Sequence, residues 1–353
     1  MALDAHNVQD DLNHVNIFEA ANPPARADAR PASLPLGDFQ AELGELERRL
    51  GRGSEPGVVT EMASELFQAG GKRLRALGAL DVGRALAVPA ELALLVAELV
   101  ELTHGATLLH DDVIDEADTR RGRPAARVRW SNTLSVLGGD FLLLRALDRV
   151  AELGCVELGG WHRATLRELL GAEVAQHLAR RSKDWSVEGY LAIARGKTGA
   201  LFALACAGPA LCAHDPSSSA GLSRFGCELG VAFQIADDLR DLLGLDPGKP
   251  SALDLTDGVP SLPIRLAAAA DGALRARLEA CATTGPAPEA VPELRRAVVS
   301  SGGATEAARI AREHLGRSQA ALARLAIHDR LGLLRHAGPW LEDELQRCEV
   351  ASS

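Results

Sequence analysis

The sequence predicts an all-α protein, a bundle of about ten or more helices joined by short loops. The chain has 353 residues, of which 47% are hydrophobic but only 3% are aromatic. Its apolar residues are mostly alanine and leucine, which favour helices over strands. Apolar positions recur at helical spacing along most of the chain, and we find no stretch that alternates as a half-buried strand would.

The predicted elements divide the chain into a tail and one helical domain. Residues 1–37 are polar and rich in alanine and proline, so we expect a flexible N-terminal tail. Residues 38–350 form the helical domain, with breaks at 51–57, 214–220 and 246–263. We expect 72–86 to be amphipathic and 91–109 to be buried. The predicted helices cover residues 38–50, 58–69, 72–86, 91–109, 134–153, 161–178, 186–212, 221–243, 264–281, 289–300 and 303–325, and a last one ends near Arg347.

Charge and composition exclude several classes of partner. The net charge of −10 argues against a nucleic-acid partner. The six cysteines have no C-x-x-C spacing and suit a reducing compartment, so we expect a cytoplasmic protein. No apolar run reaches the roughly 18–20 uncharged residues of a membrane span, and the N-terminus does not resemble a signal peptide. We therefore expect no stable insertion into a membrane.

An acidic cluster follows the apolar segment 91–109. Asp111, Asp112 and Asp115 stand at i, i+1 and i+4, so Asp111 and Asp115 share one helix face. Carboxylates this close repel one another, and hard oxygen ligands in a small cluster suit Mg²⁺ shared with a substrate phosphate. An isolated acidic run is more often a solvated helix end. The apolar helix before this run, and the recurrence of the pattern later in the chain, favour a metal site.

The same spacing recurs after a second apolar helix. Asp237, Asp238 and Asp241 lie in the stretch FQIADDLRD. Two such clusters facing each other across a bundle would hold several Mg²⁺ ions around one diphosphate, which is far more specific than either cluster alone. Arg120 and Arg121 follow the first cluster and add forked donors that match phosphate oxygens.

Seven motifs along the chain belong together. They are GGKRLR (70–75), HGATLLHDDVIDEADTRRG (104–122), GGDFLL (138–143), the helix with Glu173 and Gln176, KTGALF (197–202), FQIADDLRD (233–241) and GKPSALDL (248–255). In this order they resemble the trans-isoprenyl diphosphate synthases of the polyprenyl synthetase family, from about Gly70 to Pro263 and more weakly to Leu325. The resemblance implies a single large antiparallel helical bundle of the isoprenoid synthase type around a central apolar cavity, and a homodimer.

The resemblance also implies an activity and a role for each matching residue. The activity is Mg²⁺-dependent condensation of isopentenyl diphosphate with an allylic prenyl diphosphate to give a longer all-trans polyprenyl diphosphate. Mg²⁺ and the allylic diphosphate would bind Asp111, Asp112, Asp115, Asp237, Asp238 and Asp241. The basic residues that hold the allylic diphosphate would be Arg120, Lys197 and Lys249. The diphosphate of isopentenyl diphosphate would bind Lys72, Arg75, His104 and Arg121. Polar residues at the reaction centre would be Thr198 and Gln234.

This chemistry requires no side-chain nucleophile. Mg²⁺ and the cationic side chains stabilise the charge that develops as diphosphate leaves. The allylic cation is then attacked by the double bond of isopentenyl diphosphate, and a proton is lost to the departing diphosphate. The residues expected to carry catalysis are Asp111, Asp112, Asp115, Lys197, Thr198, Gln234 and Asp237.

Taken alone, several of these residues have ordinary explanations. Lys72 and Arg75 would be a basic helix start, although Gly70 and Gly71 beside them favour an anion site at a helix N-terminus. An isolated His104 in an apolar helix is more often a satisfied core histidine. We assign no catalytic role to His110, Glu173 and Gln176.

The loop after the second cluster departs from the family pattern. The family has glycine where this chain has Ala252, and a second lysine where this chain has Val259. The loss of that lysine removes a cation from the diphosphate end of the pocket. We also expect Arg240 to pair with its neighbour Asp241 and to alter the metal site slightly.

Small residues precede the first cluster. Ala106 and Thr107 stand five and four residues before Asp111, where bulky aromatic side chains would block a growing product. Small residues at these positions resemble those of the longer-chain synthases. Alternatively, leucines on a neighbouring helix or across a dimer interface would limit the length of the product.

Two other functions compete with chain elongation. A class I terpene cyclase on the same fold would ionise an allylic diphosphate without isopentenyl diphosphate. It has no use for a second diphosphate pocket, which here would consist of Lys72, Arg75, His104 and Arg121. A non-catalytic subunit of a heteromeric synthase would not need two intact aspartate clusters. Both observations favour the prenyltransferase.

Overall fold

The computed structural model of the chain describes residues 36–52, 57–120, 122–181, 185–245 and 251–352, and these residues are largely helical. The first half contains α1 (Gln40–Gly51), α2 (Val58–Gln68), α3 (Leu74–Ala85), α4 (Ala90–Ile114), α5 (Ala126–Arg129), α6 (Asn132–Leu153), α7 (Val156–Arg181) and α8 (Val187–Ala194). The second half contains α9 (Ala200–Cys212), α10 (Pro216–Leu243), α11 (Leu253–Thr256), α12 (Leu262–Ala270), α13 (Gly272–Thr284), α14 (Val291–Ser300), α15 (Gly303–Leu322) and α16 (Leu334–Ser352). Short 3₁₀ turns cover Leu36–Phe39, Pro288–Ala290 and His328–Arg330.

Helix α4 is at the centre of the packing, against α3, α6 and α9. It carries two buried glutamates, and each meets an arginine of another segment. Glu98 lies 3.6 Å from Arg145 and 3.5 Å from Arg149 of α6. Glu101 accepts a hydrogen bond of 3.1 Å from Arg73. Buried carboxylates are tolerated when they are paired and hydrogen-bonded in this way.

Helix α4 is long enough and apolar enough to resemble a membrane span. The same is true of the continuous helical segment Val187–Cys212, and 72% of each apolar window is buried inside the structure. Such burial is typical of core helices in a folded domain, and the resemblance to a span is weak evidence. The long apolar stretches therefore form the interior of the bundle.

Helix α3 differs from the prediction. The sequence pattern predicts an amphipathic helix over 72–86, but from Ala76 to Gly83 every residue of α3 is buried. The helix packs against α4 on one side and α9 on another, so this stretch has no solvent face. The small side chains of its alanines and glycines let α4 and α9 pack closely against it.

The polar break predicted at 214–220 is wrong beyond Asp215. The side chain of Asp215 caps α10 by accepting the backbone N–H of Ser218 at 3.0 Å, and Pro216 occupies the first helical turn. Both are helix-start signals, so the serines that follow are helical. A second difference lies at Asp271, which separates α12 from α13 and caps the latter.

A two-residue hairpin follows α4. Thr119–Arg120 (β1) pairs antiparallel with Arg123–Pro124 (β2), and Gly122 turns the chain with a φ of 73°, which glycine adopts readily. No pattern in the sequence indicates this hairpin, because its strands are too short to show an alternation. It sets the position of Arg120 just beyond the first aspartate cluster.

The described residues fall within one compact unit that spans Ala32–Ser353. The predicted all-α bundle is therefore confirmed in its class. The predicted flexible tail, 1–37, lies outside the described ranges except for Leu36 and Gly37, and it stays a prediction.

Candidate active site

Both aspartate clusters meet at one cavity of about 660 Å³. Asp115 of the first cluster and all three aspartates of the second line its wall. Asp111 reaches the same wall through Lys197, which lines the cavity and lies 3.6 Å from the Asp111 carboxylate. The sequence prediction that the two clusters converge agrees with this geometry.

The first cluster is held by cations. The Nζ atom of Lys197 lies 2.7 Å from Glu173 of α7 as well as 3.6 Å from Asp111. Arg120 of the hairpin reaches Asp112 at 2.6 Å. Two predicted diphosphate-binding residues therefore touch the first cluster directly. The contact of Arg120 with Asp112 is a short, charge-assisted hydrogen bond. The 3.6 Å between Lys197 and Asp111 is an ion-pair distance.

Lys197 owes its position to a break in helical regularity. The sequence predicts one helix over 186–212, but residues Arg195–Gly199 form a π-helical turn between α8 and α9. A Cβ atom on Gly196 would lie 2.9 Å from the Glu168 carbonyl oxygen, and one on Gly199 would lie 3.0 Å from that of Cys227. The two glycines let α7 and α10 approach, and a π-turn re-aims side chains such as Lys197 and Thr198.

The second cluster is held by neutral donors. Tyr190 donates its hydroxyl to Asp238 at 2.5 Å, and the Gln234 amide donates to the other Asp238 oxygen at 2.9 Å. The Gln234 carbonyl in turn accepts the Thr198 hydroxyl at 2.7 Å. Thr198 and Gln234, both predicted at the reaction centre, thus form a chain of hydrogen bonds that ends on the cluster.

Asp241 is fixed by the loop that follows α10. Its two carboxylate oxygens accept the backbone N–H groups of Leu253 and Asp254 at 3.2 and 3.1 Å. The expected pair with Arg240 is wrong, since Arg240 instead contacts Glu344 of α16 at 3.6 Å. Neighbouring helical residues point in different directions, which explains the difference.

Ala252 shows what the departure from the family pattern does to the backbone. Ala252 has a φ of 59°, the left-handed region that favours glycine. Its N–H donates to the Asp241 carbonyl at 2.8 Å. The alanine therefore adopts the conformation that a glycine would, at a cost of roughly 1–2 kcal/mol.

Burial controls the electrostatics of the carboxylates. It raises the pKa of Asp111 to about 6, and Glu173 and Asp115 add to this while Lys197 opposes it. It also raises the pKa of Asp238 to about 7, against the hydrogen bonds from Tyr190 and Gln234. Burial disfavours the charged form of Lys197, but Asp111 and Glu173 outweigh it and raise the pKa of that lysine. Desolvation is thus the main cause of the raised pKa values of both carboxylates.

The oxygen-rich wall fits a divalent cation by the chemistry of its donors. Hard carboxylate oxygens are the ligands that such ions prefer, and the raised pKa values of Asp111 and Asp238 reflect crowded, desolvated carboxylates. Throughout the described ranges, no three or more His, Cys, Asp or Glu side chains lie close enough to hold one ion alone. An ion in this cavity would therefore take further oxygens from outside the protein.

The residues predicted to bind isopentenyl diphosphate lie against aromatic rings. The Lys72 Nζ atom is 4.9 Å from the centre of the Trp340 ring and 5.9 Å from that of Phe233. The Arg75 guanidinium is 4.7 Å from the Phe202 ring. Phe233 belongs to α10, so the basic region formed by Lys72 and Arg75 contacts the helix that carries the second cluster.

The loop that carries Lys72 is itself held in place. Arg73 has a left-handed backbone with a φ of 50°, and its side chain donates to Glu101 at 3.1 Å and to the Phe67 carbonyl at 2.6 Å. His104 lies on α4, two turns before Asp111 and on the same face. Arg121 and Lys249, the remaining predicted binding residues, lie outside the described ranges.

Two residues of the site have roles that the sequence does not predict. Glu173, which has no predicted catalytic role, is a direct partner of Lys197. Tyr190 is the only tyrosine in the chain and is buried against Asp238. A lone tyrosine in so aromatic-poor a sequence is a signal that could have found it, because a buried hydroxyl needs a partner.

Glycines on α6 allow a close approach of neighbouring side chains. A Cβ atom on Gly138 would lie 2.6 Å from the Met62 sulfur, and one on Gly139 would lie 2.2 Å from a ring nitrogen of His110. His110 therefore packs between α4 and α6, as expected for a structural residue.

Comparison with known proteins decides the family. The model of the family described as polyprenyl synthetase matches residues 56–298. The chain belongs to the polyprenyl synthetase family. It is 39% identical over 246 residues to heptaprenyl diphosphate synthase component 2 of Geobacillus stearothermophilus, a match that covers 69% of this chain and 76% of that protein. It is 35% identical over 215 residues to octaprenyl diphosphate synthase of Escherichia coli (strain K12), covering 60% of this chain and 66% of that protein.

Solved structures of the polyprenyl synthetase family share the fold. A polyprenyl synthase from Caulobacter crescentus CB15, complexed with calcium and isoprenyl diphosphate, matches with a TM-score of 0.81 and 30% identity, covering 87% of this chain and 96% of that chain. A decaprenyl diphosphate synthase from Rhodobacter capsulatus matches with a TM-score of 0.79 and 29% identity, covering 88% and 97%. The predicted family, its all-α fold and the prenyltransferase class are confirmed, and the family works with isoprenyl diphosphates and a divalent metal.

Proposed function

We propose that this prenyltransferase is a Mg²⁺-dependent polyprenyl diphosphate synthase, which condenses isopentenyl diphosphate with an allylic prenyl diphosphate to give a longer all-trans product. The observation that carries the proposal is the convergence of Asp115, Asp237, Asp238 and Asp241 on one cavity that Lys197 and Arg120 also line. The names of the relatives in Geobacillus stearothermophilus and Escherichia coli support a long-chain product.

The side chains divide the work of binding. Mg²⁺, when bound by the six aspartates, would neutralise the diphosphate and ease the departure of that group from the prenyl carbon. Arg120 and Lys197 already lie within reach of the first cluster, so they can move onto diphosphate oxygens once these enter the cavity. Lys72 and Arg75 would hold the second substrate. The Thr198 hydroxyl and the Gln234 amide keep a polar surface beside the reacting carbon.

The small and apolar residues of α4 that precede Asp111 would protect the allylic cation. Below Asp111, α4 presents the small residue Ala106, which is buried, and Thr107, whose hydroxyl is turned onto the His104 carbonyl at 2.8 Å. Neither presents a free nucleophile or an aromatic block. This arrangement supports a product longer than farnesyl diphosphate.

The test is turnover with defined substrates. Purified protein with Mg²⁺, farnesyl diphosphate and isopentenyl diphosphate should give longer prenyl diphosphates, separated by chromatography. Omission of isopentenyl diphosphate should abolish all product. Hydrocarbon formed from farnesyl diphosphate alone would instead indicate a terpene cyclase.

A second candidate is a component that works only with a different subunit. One relative is named as component 2 of heptaprenyl diphosphate synthase, and this observation favours the alternative. No turnover by the purified chain, followed by turnover after addition of a fraction from its host cells, would support it.

We also propose that the protein forms a homodimer through α6 and α7. Each helix carries a row of exposed aliphatic side chains: Val136, Leu137, Leu144 and Leu147 on α6, and Leu170, Val174 and Leu178 on α7. Exposed rows of this kind mark association surfaces. Light scattering should give twice the monomer mass, and Leu144→Glu with Leu147→Glu should give a monomer.

A further inference from the structure

Val259 stands where the family carries a lysine, and the structure locates it on the wall of the aspartate cavity. Six residues later, Arg265 lines the same wall. Arg265 belongs to α12, and Val259 to the turn just before that helix. A positive charge is therefore present close to the position where the lysine is missing.

Arg265 is held firmly at this place. It is only 3% exposed. Its Nε–H donates to the Pro260 carbonyl at 2.6 Å, and an Nη1–H donates to the Ser186 carbonyl at 2.8 Å. The guanidinium lies 5.9 Å from the ring centre of Tyr190, the residue that donates to Asp238. The charge therefore sits one side chain away from the second cluster.

A buried guanidinium needs negative charge nearby, because desolvation of an ion is costly. The aspartates Asp237, Asp238, Asp241, Asp254 and Asp257 line the same cavity as Arg265. Burial, Asp238 and Asp241 raise the pKa of Asp254 well above its usual value. Burial and Asp238 raise the pKa of Tyr190, and Arg265 partly offsets this. The charge of Arg265 thus acts on Tyr190, the residue that donates its hydroxyl to Asp238.

We propose that Arg265 supplies the positive charge that Val259 cannot, and so sets the affinity of the cavity for the diphosphate of the allylic substrate. This inference rests on the proposed function. Arg265 is a positioning residue: it acts on the incoming diphosphate through its charge beside the second cluster. At a separation of several ångströms, one such charge changes diphosphate affinity by about tenfold.

A purely structural role makes different predictions. In that case Arg265 would only tie the Pro260 turn to Ser186 at the start of α8, and its charge would be irrelevant. Arg265→Lys would then be as damaging as Arg265→Gln. A lysine at position 259 could not restore what is lost, because it would not replace both carbonyl contacts.

The experiment is a cycle of variants measured by two methods. The wild type, Val259→Lys, Arg265→Gln, Arg265→Lys and the double variant Val259→Lys with Arg265→Gln are compared. Calorimetry gives the dissociation constant for inorganic pyrophosphate with Mg²⁺. Steady-state kinetics gives the KM for farnesyl diphosphate and kcat, and thermal unfolding gives stability. Arg277→Gln on α13, an exposed arginine paired with Glu293, is the matched control.

We expect Arg265→Gln to weaken pyrophosphate binding and to raise the KM for farnesyl diphosphate about tenfold, with a smaller effect on kcat. Arg265→Lys should stay within about threefold of the wild type. Val259→Lys should restore the double variant to near wild-type affinity. Arg277→Gln should bind pyrophosphate as the wild type does.

Val259→Lys alone tests the inference even if Arg265→Gln does not fold. If Arg265 already supplies the missing charge, this variant should gain less than about threefold in pyrophosphate affinity. A gain of about tenfold would mean that the site still lacks a cation, which overturns the inference. The inference also fails if Arg265→Gln folds and binds normally while the wild type elongates farnesyl diphosphate. A wild type without turnover would count against the proposed function instead, whatever the binding cycle gives.

Discussion

The two aspartate clusters have the same spacing, but their surroundings differ. Asp111 and Asp112 of the first cluster face the cations Lys197 and Arg120. Asp238 of the second faces the Tyr190 hydroxyl and the Gln234 amide, and Asp241 faces backbone N–H groups. One motif is thus charge-paired and the other is held by neutral donors.

The different partners of the two clusters indicate different roles in substrate binding. Side-chain cations at the end of flexible chains can leave the first cluster and bind diphosphate, so that entry of the substrate frees carboxylates for metal. Neutral donors cannot follow the substrate, and they keep the second cluster in one geometry before and after binding. The second cluster is therefore preorganised, whereas the first changes partners.

The largest effect should come from removal of a carboxylate in either cluster. Asp111→Ala and Asp237→Ala should each lower kcat by about 10³-fold or more, since charge stabilisation at the leaving group is lost. Product formation from farnesyl and isopentenyl diphosphates gives the measurement. Asp329→Asn, at a side chain that is 95% exposed, is the control and should retain full activity. If Asp111→Ala and Asp237→Ala both turned over normally, the metal-site hypothesis would be wrong.

The effect of burial on the pKa of a titratable group can be tested away from the metal site. His162 of α7 is 1% exposed and lies 3.0 Å from the Thr103 hydroxyl of α4. Burial, with a smaller contribution from Arg163, lowers its pKa to about 4. The unfolded chain then binds more protons than the folded one between pH 4 and about 6.5.

His162 should therefore make the protein less stable in acid. Its contribution is complete above about pH 6.5 and is lost as the pH falls toward 4, by up to about 3 kcal/mol. Denaturant unfolding at pH 7.5, 5.5 and 4.5 measures this. His162→Gln keeps a donor toward Thr103 and has no proton to gain, so its stability should depend less on pH. If the stability of the wild type and of His162→Gln depended on pH in the same way, His162 would not be the group responsible.

Tyr190→Phe sharpens the contrast between the clusters, because it removes one neutral donor and adds nothing. We expect the Mg²⁺ concentration for half-maximal activity to rise about 10- to 100-fold, the usual effect of losing a hydrogen bond behind a metal ligand. Trp161→Phe, an aromatic change on α7, is the control. An unchanged Mg²⁺ requirement for Tyr190→Phe would mean that Asp238 does not depend on its hydroxyl donor.

The sequence predicted the parts of this site that rest on periodicity. Asp111 and Asp115 share a face because their spacing equals one helical turn, and the same rule applies to the second cluster. Convergence of the clusters followed from the family resemblance. Helix starts were less well predicted, since the capping signal of Asp215 and Pro216 was hidden by the serines after it.

The partners of the aspartates could not be read from sequence. Tyr190 donates to Asp238, and Glu173 pairs with Lys197, from segments far away along the chain. No local pattern records such contacts. The π-turn at Arg195–Gly199 is likewise invisible, because its glycines also suit an ordinary helix contact. Tertiary packing, and not propensity, decides these features.

The smallest expected effect concerns the basic region of Lys72 and Arg75, and it compares Lys72 with Lys197. Lys72 lies over the neutral ring of Trp340, whereas Lys197 contacts the carboxylate of Glu173. If the ring preorganises Lys72, Trp340→Ala should raise the KM for isopentenyl diphosphate about three- to tenfold, since such contacts contribute roughly 0.5–2 kcal/mol. The KM for farnesyl diphosphate should not change, and Trp340→Phe should have the smaller effect.

A matched control for Trp340→Ala exists in the same chain. Arg129 lies 4.8 Å from the ring centre of Trp130, so Trp130→Ala removes a comparable contact outside the basic region and should leave the KM for isopentenyl diphosphate unchanged. A decrease in the KM for isopentenyl diphosphate would also be informative. If Trp340→Ala lowered that KM, the ring would compete with the diphosphate for Lys72, and the basic region would resemble the first cluster, whose cations must leave their partners before they can bind substrate.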